Sequence, residues 1–165
     1  MDEYKLVVVG DSKVGKTTLT ITFVEEFGSI VEDSYLKKCV VDDKLASLSI
    51  LETTGEEDFD CTAVLYMHAG EGFLLVYSIT DRNSFEEIPK LHKQICRVKD
   101  SDEFPVILVG NKADLENERV VSYSEGENLA AQMKMKYVES SAKHKVHVDK
   151  AFHDLVREIR RSKKP

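Results

Sequence analysis

Cysteine is scarce in this chain of 165 residues: Cys39, Cys61 and Cys96 form an odd set, far apart. They have no metal-ligand spacing and build no disulfide framework, which points to idle or buried thiols in a reducing compartment. Long apolar runs are missing as well. No stretch reaches the length needed to cross a bilayer. No secretion signal is visible, because Met1-Asp2-Glu3 is acidic and the next apolar run is too short. Positive charge is in deficit. Lys and Arg number 23 against 30 Asp and Glu, a formal net charge of −7. That balance disfavours non-specific binding to nucleic acid, which is driven by neutralising phosphates. No linker, repeat or low-complexity segment marks a boundary, so residues 1–165 are expected to form a single domain. With 42% hydrophobic residues, the chain has the length and composition for a sizeable core.

Period and punctuation alternate along the chain. Strand-like runs are expected at Tyr4–Val9, Cys39–Val41, Ala46–Leu51, Gly72–Ile79, Pro105–Gly110 and Lys136–Ser140. Helical patterns lie between most of them. One starts at Lys16, a second covers Asp58–His68, and a third runs Ser84–Lys99 with Phe85, Ile88, Leu91 and Ile95 on one face. A fourth covers about Ser122–Met133. The last runs about Val146–Arg161, striped by Val148, Phe152, Leu155, Val156 and Ile159. Such alternation predicts an α/β fold with a mainly parallel sheet covered on both faces. Cys39–Leu45 reads as two strands around a tight turn, so one edge pair is antiparallel. The basic end, Arg157, Arg160, Arg161, Lys163 and Lys164, suits the dipole of a final helical turn; a membrane-surface role is the second reading.

The strongest motif is Gly10-Asp11-Ser12-Lys13-Val14-Gly15-Lys16-Thr17, spaced GxxxxGK[ST] between the run Leu6–Val9 and the helix from Lys16. Gly10 and Gly15 admit backbone conformations closed to bulkier residues, so successive N–H groups can converge on one anion. The helix N-terminus adds unpaired donors. Lys16 supplies a point charge for β- and γ-phosphates, and the Thr17 hydroxyl is a Mg²⁺ ligand. A second motif, Asn111-Lys112-Ala113-Asp114, follows the run Val106–Gly110, where loops at strand carboxyl ends line a ligand crevice. The Asp114 carboxylate can accept both N1–H and the amino group of guanine, a donor pair that adenine lacks. Ser141-Ala142-Lys143 follows the sixth run; a backbone N–H there suits the guanine carbonyl, and the Lys112 stem suits the face of the base.

With these motifs, the chain resembles the Ras superfamily of small GTP-binding proteins, nearest the Ras/Rap branch. The likeness includes Glu3–Gly10, Glu32-Asp33-Ser34-Tyr35, Gly70-Glu71-Gly72-Phe73, Arg97-Val98-Lys99-Asp100, Glu118-Arg119-Val120-Val121, Glu139–Lys143 and Asp154-Leu155-Val156-Arg157. The resemblance implies the P-loop small G-protein fold, with a six-stranded mixed sheet and about five helices. It implies a GDP/GTP switch that needs Mg²⁺. Carried over residue by residue, Gly10, Asp11, Ser12, Lys13, Val14, Gly15, Lys16, Thr17 and Thr18 hold phosphates, with Gly55 beside them. Phe27 lies against the base or sugar. Asn111, Lys112, Asp114, Ser141, Ala142 and Lys143 hold the guanine, and Thr17 and Glu52 serve the metal. An effector protein is expected along the Glu32-Asp33-Ser34-Tyr35 strand, where a partner can add a strand of its own. Exchange factors and GTPase-activating proteins are the other expected partners.

Three departures bear on activity. Ras and Rap proteins place a Tyr-Asp-Pro-Thr loop before Glu-Asp-Ser-Tyr; this chain has only Gly28-Ser29-Ile30-Val31, about four residues fewer and up to roughly 13 Å less reach. The threonine that meets Mg²⁺ and the γ-phosphate has no counterpart; Ile30 falls near its place and Ser29 is the nearest hydroxyl. The second departure is Glu52-Thr53-Thr54-Gly55-Glu56-Glu57, where the family shows Asp-Thr-Ala-Gly-Gln-Glu. Glu52 is one methylene longer, at a metal intolerant of distortion. Glu56 replaces the glutamine that orients the attacking water, and an ionised carboxylate donates no hydrogen bond. Facing a γ-phosphate at ~6 Å with an effective dielectric near 20, it adds about 3 kcal/mol of repulsion, roughly a hundredfold in rate. Lys13 either offsets this above the phosphates or is a solvated surface lysine. The third departure is the end Ser162-Lys163-Lys164-Pro165, which carries no CaaX cysteine, so lipid anchoring is not legible.

The expected function is a Ras/Rap-like GDP/GTP switch with weak intrinsic hydrolysis, in which Lys16 and Glu56 are the candidate catalytic residues. The alternative is a guanine-nucleotide-binding interaction module that does not hydrolyse GTP. An adenine-nucleotide phosphotransferase on the same loop is a third reading, opposed by Asp114. The expected location is the cytoplasm, or the cytoplasmic face of a membrane where a lipidated tail follows. His144, His147 and His153 are read as solvated histidines of a helix face rather than a metal cluster.

Overall fold

The computed structural model describes residues 2–25, 28–31, 34–53 and 61–163, and for Ile30, Val31 and Cys61 the backbone alone. Among the described residues, seven strands form one sheet: β1 (Asp2–Gly10), β2 (Gly28–Val31), β3 (Ser34–Val41), β4 (Lys44–Glu52), β5 (Gly72–Ser78), β6 (Val106–Asn111) and β7 (Lys136–Glu139). Their order is β2-β3-β4-β1-β5-β6-β7. From β4 to β7 every neighbour is parallel, while β3 and β2 run antiparallel at one edge. The mixed sheet is the expected one with a correction: seven strands rather than six. The added strand is β2, which pairs Gly28 with Lys37, Ser29 with Leu36, Ile30 with Tyr35 and Val31 with Ser34.

The helices are α1 (Lys16–Val24), α2 (Cys61–Ala69), α3 (Arg82–Glu86), α4 (Ile88–Lys99), α5 (Tyr123–Gln132) and α6 (Val148–Lys163). Successive β1 side chains alternate between the two faces of the sheet. Leu6 and Val8 join one buried cluster with Leu19 and Phe23 of α1 and Phe152, Leu155 and Ile159 of α6. Val7 and Val9 join the other, with Met67 of α2, Ile88 and Ile95 of α4 and Ala130 of α5. The expected stripe on α6 is buried throughout, and Phe23 stacks on Phe152 at 4.1 Å between ring centres. Because β1 and β5 are covered on both faces, their sequences read as continuous apolar runs.

One helix differs from expectation for identifiable reasons. The helix expected over Ser84–Lys99 starts earlier and is interrupted at Glu87. Asp81 caps α3 by accepting from the N–H groups of Asn83 and Ser84, and Pro89 in the first turn of α4 has no N–H to continue the ladder. Counted as one interrupted helix, α3 and α4 leave five α-helices among the described residues. The turn between β3 and β4 is the expected tight one. Asp42 and Asp43 both take positive φ, 52° and 65°, the backbone of a two-residue hairpin turn that follows sheet twist.

Candidate functional site

The carboxyl ends of β1, β4, β6 and β7 open on one side of the sheet, and the loops leaving them meet there. Gly10 ends β1, Glu52 ends β4, Asn111 ends β6, and Ser140 follows β7. The loop after β1 turns into α1 through Gly15, whose φ of 88° is left-handed. A Cβ there would also lie 2.7 Å from Asn111 Nδ2. Gly10 differs from expectation: it is an ordinary strand residue, and space rather than dihedral freedom demands glycine, since a Cβ would run into the Val76 carbonyl oxygen. Among the described residues no side chain caps α1, which leaves its first-turn N–H groups at the loop beside the positive end of the helix dipole.

Lys16 crosses this loop. Its ammonium donates to the carbonyl oxygens of Gly10 at 2.6 Å and Asp11 at 2.8 Å, and the residue is buried. Burial pushes Lys16 below the usual lysine range, opposed by the Glu52 and Asp11 carboxylates. At the foot of α1 the Thr17 hydroxyl donates to Glu52 Oε2 at 2.8 Å. The other carboxylate oxygen, Glu52 Oε1, is the one buried side-chain polar atom without a hydrogen-bond partner among the described residues. A buried orphan carboxylate oxygen beside a hydroxyl is an oxygen pair suited to a hard divalent cation, and the Lys16 ammonium across the loop suits a neighbouring phosphate. Ser12, Lys13, Thr18, Thr53 and Lys112 complete the walls of this hollow, about 520 Å³ in volume. Tyr35 of β3 senses the same carboxylate: its phenol is pushed up by partial burial first and by Glu52 second.

The loop after β6 is tied to the phosphate-type loop. Asn111, only 2% exposed, donates from Nδ2 to the Val14 carbonyl at 2.9 Å and accepts at Oδ1 from Ser140 Oγ at 3.1 Å. Lys112 Nζ donates to the Lys13 carbonyl at 3.0 Å. Ser141 Oγ donates to Asp114 Oδ1 at 2.7 Å and accepts from the His144 N–H, while the Ala113 N–H reaches the Ser140 carbonyl. Asp114 is thereby held in place by one oxygen, and among the described residues nothing bonds to the other. Ala142 is half-buried against the core and Lys143 is exposed. The bracing roles of Asn111 and Ser140 were not legible from the motif alone. The signal lay in Ser140, a polar residue at the buried end of a parallel strand.

The structure thus brings together Gly10 to Thr18, Glu52, Asn111, Lys112, Asp114 and Ser141. Phe27, Thr54, Gly55, Glu56 and Glu57 lie outside the described residues, as do Glu32 and Asp33 of the expected partner strand and residues 58–60 of the expected second helix. His147 Nδ1 meets the Glu139 carbonyl at 2.9 Å, and His153 stands edge-on to Phe23.

A mixed sheet with a GxxxxGK[ST] loop between β1 and α1, an oxygen pair at the helix foot and a base-type carboxylate loop braced against it defines a P-loop protein of the small G-protein kind. The chain belongs to the Ras family, whose signature matches residues 5–161. It is 58% identical to the Ras-like protein RAS2 of Hydra vulgaris, over 98% of this chain and 87% of that one. It is 56% identical to a Ras-like protein of Laccaria bicolor, over 98% of this chain and 80% of that one. Proteins of this family are GTPases that bind GDP and GTP with Mg²⁺ and work as switches among effectors, exchange factors and GTPase-activating proteins.

Proposed function

We propose that this protein is a guanine-nucleotide switch of slow intrinsic turnover. One observation carries the nucleotide reading: Asn111 and Lys112 bond to the carbonyls of Val14 and Lys13, which couples the loop that presents Asp114 to the loop that cradles phosphates. In this reading Gly10 to Thr18 bind the phosphates, with Lys16 neutralising charge that grows on them. Asp114 accepts from the guanine edge, Ser141 to Lys143 present backbone N–H groups to its carbonyl, and Phe27 closes on the base or sugar. Thr17 and Glu52 would hold Mg²⁺, which would supply positive charge to neutralise the phosphates. Cytoplasmic residence, or attachment to the cytoplasmic face of a membrane through a lipidated tail, accompanies this function.

The slow turnover rests on Glu56 and on the short segment Gly28–Val31. Glu56 neither donates to an attacking water nor tolerates a neighbouring anion. Single-turnover hydrolysis of GTP by the purified protein tests it. Glu56→Gln is expected to raise the rate roughly a hundredfold; an unaltered rate, or a wild-type rate equal to that of glutamine-bearing relatives, refutes the impairment. The second reading, a module that holds GTP without hydrolysing it, draws support from β2, because the backbone of Ser29, the nearest hydroxyl residue to the absent threonine, is committed to pairing opposite Leu36. Equal structures with GDP and with a non-hydrolysable GTP analogue would favour the module over the switch.

A further inference from the structure

Strand β3 pairs with β4 over seven residue pairs, Tyr35 to Val41. Its other edge is where strand addition by a partner is expected, since an unpaired row of N–H and C=O groups is a template for a further strand. Over Ser34–Lys37 that row is already taken by β2, which pairs antiparallel with it. We propose that Gly28–Val31 is a self-complementing strand that occupies the partner-docking edge of β3, so that a strand-adding protein partner must first displace it. The inference rests on the partner reading of the Ser34–Tyr35 strand and adds an intramolecular competitor to it.

Three features make the strand a placed competitor. It is short, four residue pairs against seven on the other side of β3, so its removal costs few hydrogen bonds and leaves β3 anchored on β4. It is seated by one residue: a Cβ at Gly28 would lie 2.7 Å from Val24 Cβ and would run into the Val24 carbonyl oxygen, so glycine alone lets the strand start beneath the end of α1. Lys37, opposite Gly28, fastens the same corner, with its ammonium bonded to the Phe23 carbonyl and 4.1 Å above the Phe23 ring. Beyond Lys37, no described residue pairs with the outer edge of Lys38–Val41, and Val40 there is 58% exposed. An incoming strand has footing on this stretch before it meets β2.

The probe is a synthetic peptide repeating residues 26–33, titrated into isotope-labelled, GDP-loaded full chain. The wild type is expected to ignore it. Gly28→Val unseats β2 and is expected to capture the peptide at least about tenfold more tightly, with shift changes confined to Ser34–Val41. The paired variant Ser29→Cys with Leu36→Cys, residues that face each other across the ladder, is expected to exclude the peptide when oxidised. Retained amide protection in β1 and β5 reports that each variant is folded. Equal capture by wild type and Gly28→Val, capture by the oxidised pair, or a folded Gly28→Val that captures none overturns the proposal. If Gly28→Val does not fold, wild-type Overhauser contacts between the backbones of Gly28–Val31 and Ser34–Lys37 decide: their presence upholds the occupied edge and their absence refutes it. Guanine binding is followed in the same samples, so loss of the nucleotide reading is separable from failure of the strand.

Discussion

Replacing Asn111 with Ala attacks the joint between the two loops. The side chain is 2% exposed and makes two neutral bonds, to the Val14 carbonyl and from the Ser140 hydroxyl. Losing two such bonds costs about 1 kcal/mol each, and the buried Val14 oxygen left without its donor adds about 1 more, for a total of about 3 kcal/mol. Ser140→Ala removes one bond and spares the Val14 contact, so it is expected to cost about 1 kcal/mol. Urea unfolding of nucleotide-free protein measures both. A second reading comes from GDP. At a hundredfold excess over Kd, the nucleotide adds about 2.7 kcal/mol to stability. If Asn111→Ala also loosens the cradle and weakens GDP tenfold, that increment falls by about 1.3 kcal/mol, whereas Ser140→Ala retains most of it. An Asn111→Ala protein within about 0.5 kcal/mol of wild type, or one with an undiminished GDP increment, would refute the claim that this side chain braces the phosphate loop.

Two further predictions concern the packing that carries the site. Gly126 of α5 sits against the hydroxyl pair of Tyr77 and Tyr137, which are 2.6 Å apart, and a Cβ there would come 2.5 Å from Tyr77 Oη. Gly126→Ala is therefore expected to destabilise by about 2 kcal/mol through forced movement of the pair, despite Ala's better helix propensity; a more stable variant in urea would contradict it. Glu125 closes the capping box of α5 with Ser122 and accepts two bonds from Arg82. The Arg82 guanidinium first, then the Ser122 N–H, hold its carboxyl at about 2, well below the usual glutamate value of 4.5. A depressed folded value means the stabilisation is present above about 4.5 and is lost as the pH falls towards about 2. The gap between wild type and Glu125→Gln in urea midpoint is accordingly expected to be full at pH 7 and narrower at pH 3; a gap that widens in acid would reverse the sign.

Much of the architecture was legible because its signals are dense. The stripe from Val148 to Ile159 has helical period and is buried as a unit, and the runs Leu6–Val9 and Phe73–Val76 are apolar without alternation because helices cover both faces. The GxxxxGK[ST] loop was legible from spacing, and Asp42-Asp43 from turn chemistry. Strand β2 was not. Gly28-Ser29-Ile30-Val31 is too short to show a period and begins with a poor strand former; it owes its pairing to the pre-existing β3 edge and to the close approach at Val24. Nor was the break at Glu87, since Phe85, Ile88, Leu91 and Ile95 keep one apolar face across it. At the site, the motifs named Asn111 and Thr17, while the bonds to Val14, Ser140 and Glu52 join residues remote in sequence and needed the fold.

The most direct measurement is calorimetric titration of nucleotide-free protein with GDP and with ADP, repeated with Asp114→Asn. A carboxylate that accepts two guanine donors predicts a preference for GDP of roughly a thousandfold or more, largely erased by Asp114→Asn while phosphate-driven binding persists. Equal uptake of the two diphosphates by the wild type, or a preference that survives Asp114→Asn, would contradict the account.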